Sequence, residues 1–144
     1  MMKYDLKYDF HTHVLPGIDD GARDLPASLS MLSRLQAQGI DTVVATPHFY
    51  AHRQEAAQFL ENRAAALAAV KSAGDSLPTV LPAAEVDLER GLRDIDLRPF
   101  CMEGTHAILV EMPYARQESW MLEEVYHFCL TQSLTPVFAH LDRY

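Results

Sequence analysis

Tyr8-Asp9-Phe10-His11-Thr12-His13 is the stretch that decides the fold. It reads as a short strand that runs into two imidazoles. On a strand, residues two apart project from the same face, so His11 and His13 point the same way. Neither helix capping nor core packing calls for that spacing. Four further apolar runs reach a metal-type ligand. Thr42-Val43-Val44-Ala45 leads through Thr46-Pro47 to His48, and Thr79-Val80-Leu81 leads through Pro82-Ala83-Ala84 to Glu85. Ala107-Ile108-Leu109-Val110 ends at Glu111, and Pro136-Val137-Phe138-Ala139 ends at His140. Strands that alternate with helices lie parallel, and their C-terminal ends meet at one face. Imidazoles and carboxylates gathered there suit zinc, manganese or iron better than magnesium or calcium, which prefer oxygen alone. Glu85 and Glu111 carry weight because a charge at the end of an apolar run is unwelcome unless paired or coordinated.

Helix signals separate the runs. Asp24 can cap a helix in which Leu25, Leu29, Leu32 and Leu35 recur at helical spacing, and Gly39 is its stop. A second helix is expected from Gln54 to Ala73, with Leu60, Ala64, Leu67 and Ala68 as its buried stripe. A short helix or turn is expected within Leu88 to Leu97, and a third long helix from Glu118 to Ser133. The strands fall at Tyr8 to Thr12, Asp41 to Ala45, Thr79 to Ala84, His106 to Glu111 and Thr135 to Ala139. The class is α/β with five parallel strands.

At 144 residues the chain is the length of one domain with a real core. Its formal net charge is −8 and it has no basic block, which argues against a nucleic-acid-binding surface. Cys101 and Cys129 form no CxxC pair, in keeping with a reduced, cytoplasmic protein. The first residues lack the apolar core of a signal peptide, and no apolar run is long enough to span a bilayer. Membrane insertion is not expected.

Other residues read more plainly. Asp19 and Asp20 fit a turn, and Arg143 is either a surface arginine or an anion clamp. His52 precedes a helix, His106 opens a strand at the far end from the site, and His127 lies within a helix. Neither cysteine has an arginine six residues on, as a cysteine-based phosphatase needs, and no GxSxG elbow, dinucleotide loop or Walker loop is present.

The segment His11-Thr12-His13-Val14-Leu15-Pro16-Gly17-Ile18-Asp19-Asp20-Gly21-Ala22 resembles the opening signature of the PHP (polymerase and histidinol phosphatase) phosphoesterases. The branch it resembles most is that of the bacterial tyrosine phosphatases of capsule and exopolysaccharide gene clusters. Ala45-Thr46-Pro47-His48, Ala84-Glu85-Val86, Leu109-Val110-Glu111-Met112-Pro113 and Val137-Phe138-Ala139-His140-Leu141-Asp142-Arg143-Tyr144 follow in that branch's order. The resemblance covers the whole chain.

It implies a distorted (β/α)7 TIM-like PHP barrel with a three-metal cluster, commonly manganese, with iron or zinc as alternatives. Carried over by motif, His11, His13, Asp20, His48, Glu85, Glu111 and His140 would be metal ligands, and Arg143 would hold the substrate phosphate, with Asp20 beside it in the catalytic set. A metal-bridging hydroxide would attack phosphorus. The implied substrate is phosphotyrosine on a bacterial tyrosine autokinase that controls polysaccharide export, and a homo-oligomer is compatible with this. The family's late Asp-x-His pair has no counterpart here. Residues 1–144 are therefore expected to be the N-terminal portion of a PHP domain, holding about the first five strands. Phe49, Leu141-Asp142 and Ala83-Ala84 also depart from the branch's usual residues.

Three other readings stand beside this one. A small-molecule PHP phosphatase, of the histidinol-phosphatase kind, would share the chemistry. An inactive, truncated metal-binding fragment would share the ligands only. An amidohydrolase also begins with HxH on a barrel, but it typically places a bridging carboxylated lysine after the fourth strand, where this chain has Glu111.

Overall fold

A computed structural model describes residues 7–144 as two compact units. One holds the chain up to Pro47 together with Glu61–Pro82, and the other holds His48–Leu60 and Ala83–Tyr144. The α/β class is as expected, and every strand pair is parallel.

The first unit is built on a three-stranded sheet. Its strands are β1 (Tyr8–Thr12), β2 (Thr42–Ala45) and β4 (Thr79–Pro82), in the order β1-β2-β4. Register is regular between β2 and β4, but shifts between Asp9 and Thr12 where β1 meets β2. Helix α1 (Leu25–Ala37) begins where the sequence says it should: the Asp24 carboxylate accepts a hydrogen bond from Ala27 N at 2.9 Å, and Pro26 stands in the first turn. It ends just before Gly39, whose φ of 86° is one that L side chains rarely adopt. Val14, Leu15, Leu32, Val43, Ala45, Val70 and Val80 form the unit's core.

The second unit has a four-stranded sheet in the order β3-β5-β6-β7. Its strands are β3 (His48–Phe49), β5 (Glu85–Asp87), β6 (Ala107–Glu111) and β7 (Thr135–Phe138). Phe49, Phe59 and Phe100 pack ring on ring, with centroids 4.6–5.4 Å apart, at the centre of a core that includes Val86, Leu92, Ile108, Val110 and Phe128. Helix α3 (Ser119–Gln132) covers this core with Met121, Val125 and Phe128. Between β5 and β6 a short 3-10 turn at Leu92–Asp94 falls within the expected short helix or turn, and a second one follows at Arg98–Phe100. They are tied to α3 by polar side chains. Glu124, almost fully buried, accepts from Arg93 N and Nε at 2.9 Å, and Gln132 bridges Leu97 N and Ile95 O at 2.8 Å each.

Two expectations need correction. The runs toward His48 and Glu85 are not single strands. β2 stops at Ala45, as expected, and β4 at Pro82 rather than Ala84, but His48 and Glu85 then open new strands, β3 and β5, in the other sheet. Pro47 and Pro82 have no N–H with which to continue a ladder. Five runs therefore become seven strands among the described residues. Helix α2 (Ala56–Lys71) is shorter than expected, and its stripe is half as expected: Leu60 and Leu67 are partly buried against the two cores, but Phe59 and Val70 are the buried residues and Ala64 and Ala68 are exposed. No helix among the described residues is long and apolar enough to cross a membrane.

Candidate metal centre

Each unit gathers its own donors. In the second, register does the work. His48 on β3 is the partner of Glu85 on β5, and Glu111 is the last residue of β6. His140 follows β7 with a φ of 30°, left-handed backbone that costs a non-glycine residue about 1–2 kcal/mol. That conformation turns its ring back onto the carboxylates. His140 Nε2 lies 2.9 Å from Glu85 Oε1 and 3.1 Å from Glu111 Oε2, and His48 Nδ1 lies 3.4 Å from Glu85 Oε2. One ligand atom each from His48, Glu85 and Glu111 falls within 4.8 Å of the others.

Glu85 is 1% exposed and Glu111 9%. Burial, then the neighbouring Glu85 carboxylate, pushes the Glu111 carboxyl up to about 7, while His140 pulls the other way. Two buried acids at this separation cannot both be charged unless something positive lies between them. A divalent cation would serve in place of the shared proton, and two carboxylates with two imidazoles are a donor set that fits it.

In the first unit, His11 lies within β1 and His13 just beyond it. His13 Nδ1 is 2.8 Å from Asp19 Oδ2, and its Nε2 is 3.3 Å from His11 Nε2. With Asp19 Oδ2 accepting a hydrogen bond from Nδ1–H, Nε2 presents a lone pair. Two imidazole nitrogens this close need a proton or a cation between them. A carboxylate on the far nitrogen is the support that a ligating histidine usually has. Asp19 also accepts from Gly21 N at 2.9 Å, an Asx turn that fixes its carboxylate. Gly21 must be glycine, since a Cβ there would lie 2.2 Å from His13 O. Asp20 is exposed, yet one of its oxygens lies within 4.8 Å of donor atoms of His13 and Asp19.

Arg143, in the 3-10 turn Leu141–Arg143, is exposed and donates from Nη1 to Tyr114 Oη at 3.2 Å. The Tyr144 hydroxyl accepts from Met112 N at 2.8 Å and lies 3.4 Å from His140 Nδ1. Sequence reasoning missed Asp19 as the buried partner of His13. The signal available was Asp-x-Gly, the pattern of an Asx turn. It also missed Tyr114, which no motif marks, and gave no role to Tyr144, although that residue closes the last of the quoted motifs. The histidines read as ordinary are so placed: His52 pairs with Glu89 at 2.9 Å, and His106 and His127 are exposed.

The family model described as "Capsular polysaccharide synthesis, CpsB/CapC" matches residues 7–144. The tyrosine-protein phosphatase YwqE of Bacillus subtilis (strain 168) is 31% identical over 142 residues, covering 94% of this chain and 54% of the relative. The putative tyrosine-protein phosphatase CapC of Staphylococcus aureus is 21% identical over 140 residues, with the same coverage of 94% and 54%. A solved structure from work on YwqE of B. subtilis and CpsB of Streptococcus pneumoniae, described as unique metal-dependent tyrosine phosphatases, superposes with a TM-score of 0.77 at 28% identity. It covers 94% of this chain and 56% of the other. The chain thus spans about half the length of the curated relatives it matches.

Proposed function

Because this chain belongs to the CpsB/CapC family of capsular polysaccharide synthesis, we propose that it serves a metal-dependent protein tyrosine phosphatase. Its substrate would be phosphotyrosine on a bacterial tyrosine autokinase that regulates capsule or exopolysaccharide synthesis. The finer fold proposed is the N-terminal portion of a distorted seven-stranded PHP barrel. The superposition on the metal-dependent tyrosine phosphatase structure supports it. A cytoplasmic location and a homo-oligomer belong to the same reading.

One observation carries the chemistry: the buried pair Glu85 and Glu111, with His140 set against both and His48 against Glu85. The proposed ligands are His11, His13 and Asp20 from the first unit, and His48, Glu85, Glu111 and His140 from the second. Manganese is the metal proposed, on the family resemblance. Bound divalent ions supply charge neutralisation of phosphoryl oxygens and a lowered pKa for water.

The chain's own residues do the rest. Asp19 holds His13 in one tautomer and one orientation. Tyr144, anchored by Met112 N, stands beside His140 Nδ1 and restrains that ring. Arg143 is held by Tyr114 within the turn that follows His140, where its guanidinium can orient a phosphate through paired N–H groups. Tyr114 stacks parallel to His140 at 6.2 Å, an aromatic surface suited to a phenolic leaving group.

The test compares turnover of a phosphotyrosine peptide and of histidinol phosphate with manganese and with chelator. Manganese-dependent release from the peptide, lost in Glu111→Gln and His140→Ala, is the expected result. Preference for histidinol phosphate would favour the small-molecule reading. No turnover of either, with manganese still bound, would leave a metal-binding fragment.

A further inference from the structure

The loops after β6 and β7 enclose a second feature of the same unit. Pro113, Tyr114, Arg116 and Gln117 from one loop, and Arg143 and Tyr144 from the other, line a cavity of about 310 Å³. Both loops leave the C-terminal ends of neighbouring parallel strands, the ends that carry Glu111 and His140. The cavity is joined to those donors by contact: Tyr114 stacks on His140, and Tyr144 approaches it with ring centroids 5.9 Å apart.

Three properties define what would fit. The volume is at the small end of ligand pockets, room for one aromatic group rather than a folded segment. The walls are two phenol rings, with centroids 6.0 Å apart and tilted by 47°, so a flat ring can lie against either. The lining holds two guanidiniums and no acidic side chain, in a chain whose net charge is −8. Arg143 is engaged by Tyr114. Arg116 is exposed and makes no ion pair or ring contact among the described residues. A cation left without an internal partner on a pocket wall is available to an anion on a ligand.

We propose that this cavity receives the ring of a phosphotyrosine, and that Arg116 selects peptides with an acidic residue beside it. The inference rests on the phosphatase reading for the phosphotyrosine, and adds to it a sequence preference and the residue that sets it. Arg143 and Arg116 divide the work. Arg143 lies in the turn that follows His140 and faces the phosphate, and Arg116, on the other loop, faces the flanking carboxylate.

The experiment measures binding as well as turnover. Two labelled phosphotyrosine peptides, alike except for Asp or Asn beside the phosphotyrosine, are titrated with the full chain by fluorescence anisotropy, with manganese and with chelator. The acidic peptide binds about fivefold tighter, the size of a partly exposed ion pair. The difference fades between about 50 mM and about 500 mM salt, as screening requires. Arg116→Ala removes the preference, Arg116→Lys keeps part of it, and Arg116→Glu reverses it. Circular dichroism verifies that the variants fold. A wild-type protein that binds both peptides equally or neither, or an Arg116→Glu variant that still prefers the acidic peptide, overturns the proposal. Peptide preference without manganese-dependent hydrolysis would leave this pocket standing and remove the phosphatase reading. Hydrolysis of both peptides without an Arg116-dependent preference would do the opposite.

Discussion

Thr12 and Thr46 bond to each other in both directions. Thr12 N donates to Thr46 Oγ1 at 3.0 Å, and Thr46 N and Oγ1 donate to Thr12 O at 2.8 and 3.0 Å. Thr12 Oγ1 reaches on to Val44 O at 2.8 Å. Both residues are buried, and the exchange sits where the register of β1 on β2 shifts. It holds the strand end that carries His11 and His13. Thr46→Val keeps the shape but leaves Thr12 N without its acceptor, and costs about 1–3 kcal/mol. Urea denaturation measures it. Thr46→Ser, which keeps the oxygen, should lose much less, and equal losses for the two would show that packing rather than hydrogen bonding matters here.

That clasp marks how far the sequence could be read. β1, α1, β6, α3 and β7 lie within a residue or two of their expected bounds, because apolar runs, a capping Asp24 and stop signals all agree. The short strands that open at His48 and Glu85 were less legible, because they are only two and three residues long and only tertiary pairing shows the change of sheet. On α2, alanines occur on every side, so Ala64 and Ala68 fitted a stripe as well as any. The cores took Phe59 and Val70, with Leu60 and Leu67 packed beside them, and left both alanines out. His48, Glu85, Glu111 and His140 were legible because charge and imidazole are out of place at the ends of apolar runs. Asp19 was not, because two adjacent acids in a turn look alike until one is seen against His13.

Gly21 tests the loop's fit on His13. A methyl group at this position would meet His13 O at 2.2 Å and His13 Cβ at 2.5 Å. Backbone cannot give way as a flexible side chain can, so Gly21→Ala must move the loop. The expected cost is about 1–3 kcal/mol, with a fall in metal affinity as Asp19 is carried away from His13. Thermal melting and a manganese titration read the two effects. A variant with wild-type melting and affinity would show that the loop has slack.

Asp19 and Asp20 are predicted to differ in kind. Asp19 orients His13 through Nδ1, so Asp19→Asn weakens the grip on the ring without removing a proposed ligand. Loss of such a partner typically lowers metal affinity about 10–100-fold. Asp20→Asn removes a proposed ligand from an exposed side chain and should leave folding stability unchanged within about 0.5 kcal/mol. Calorimetric titration with manganese, beside urea denaturation of the metal-free forms, separates the two. Unchanged manganese affinity in Asp19→Asn would remove it from the metal centre.

Glu111 gives the pH dependence of the metal-free protein. Its carboxyl stands at about 7 in the folded chain, against 4.5 ordinarily, because burial and then Glu85 penalise the charge. The folded state therefore holds this proton more tightly than the unfolded one. Its contribution is fully present below about 4.5 and is lost as pH rises through about 7. Asp87, raised to about 6 by burial and then by Glu89, acts in the same direction over a lower window. In chelator, the melting temperature should fall from pH 5 to pH 7.5, and Glu111→Gln, which stays neutral, should flatten the upper part of that slope. With manganese the trend should weaken or reverse, since a bound cation favours the charged carboxylates and its affinity rises as the proton leaves. Identical slopes with and without manganese would mean that Glu111 does not meet the metal.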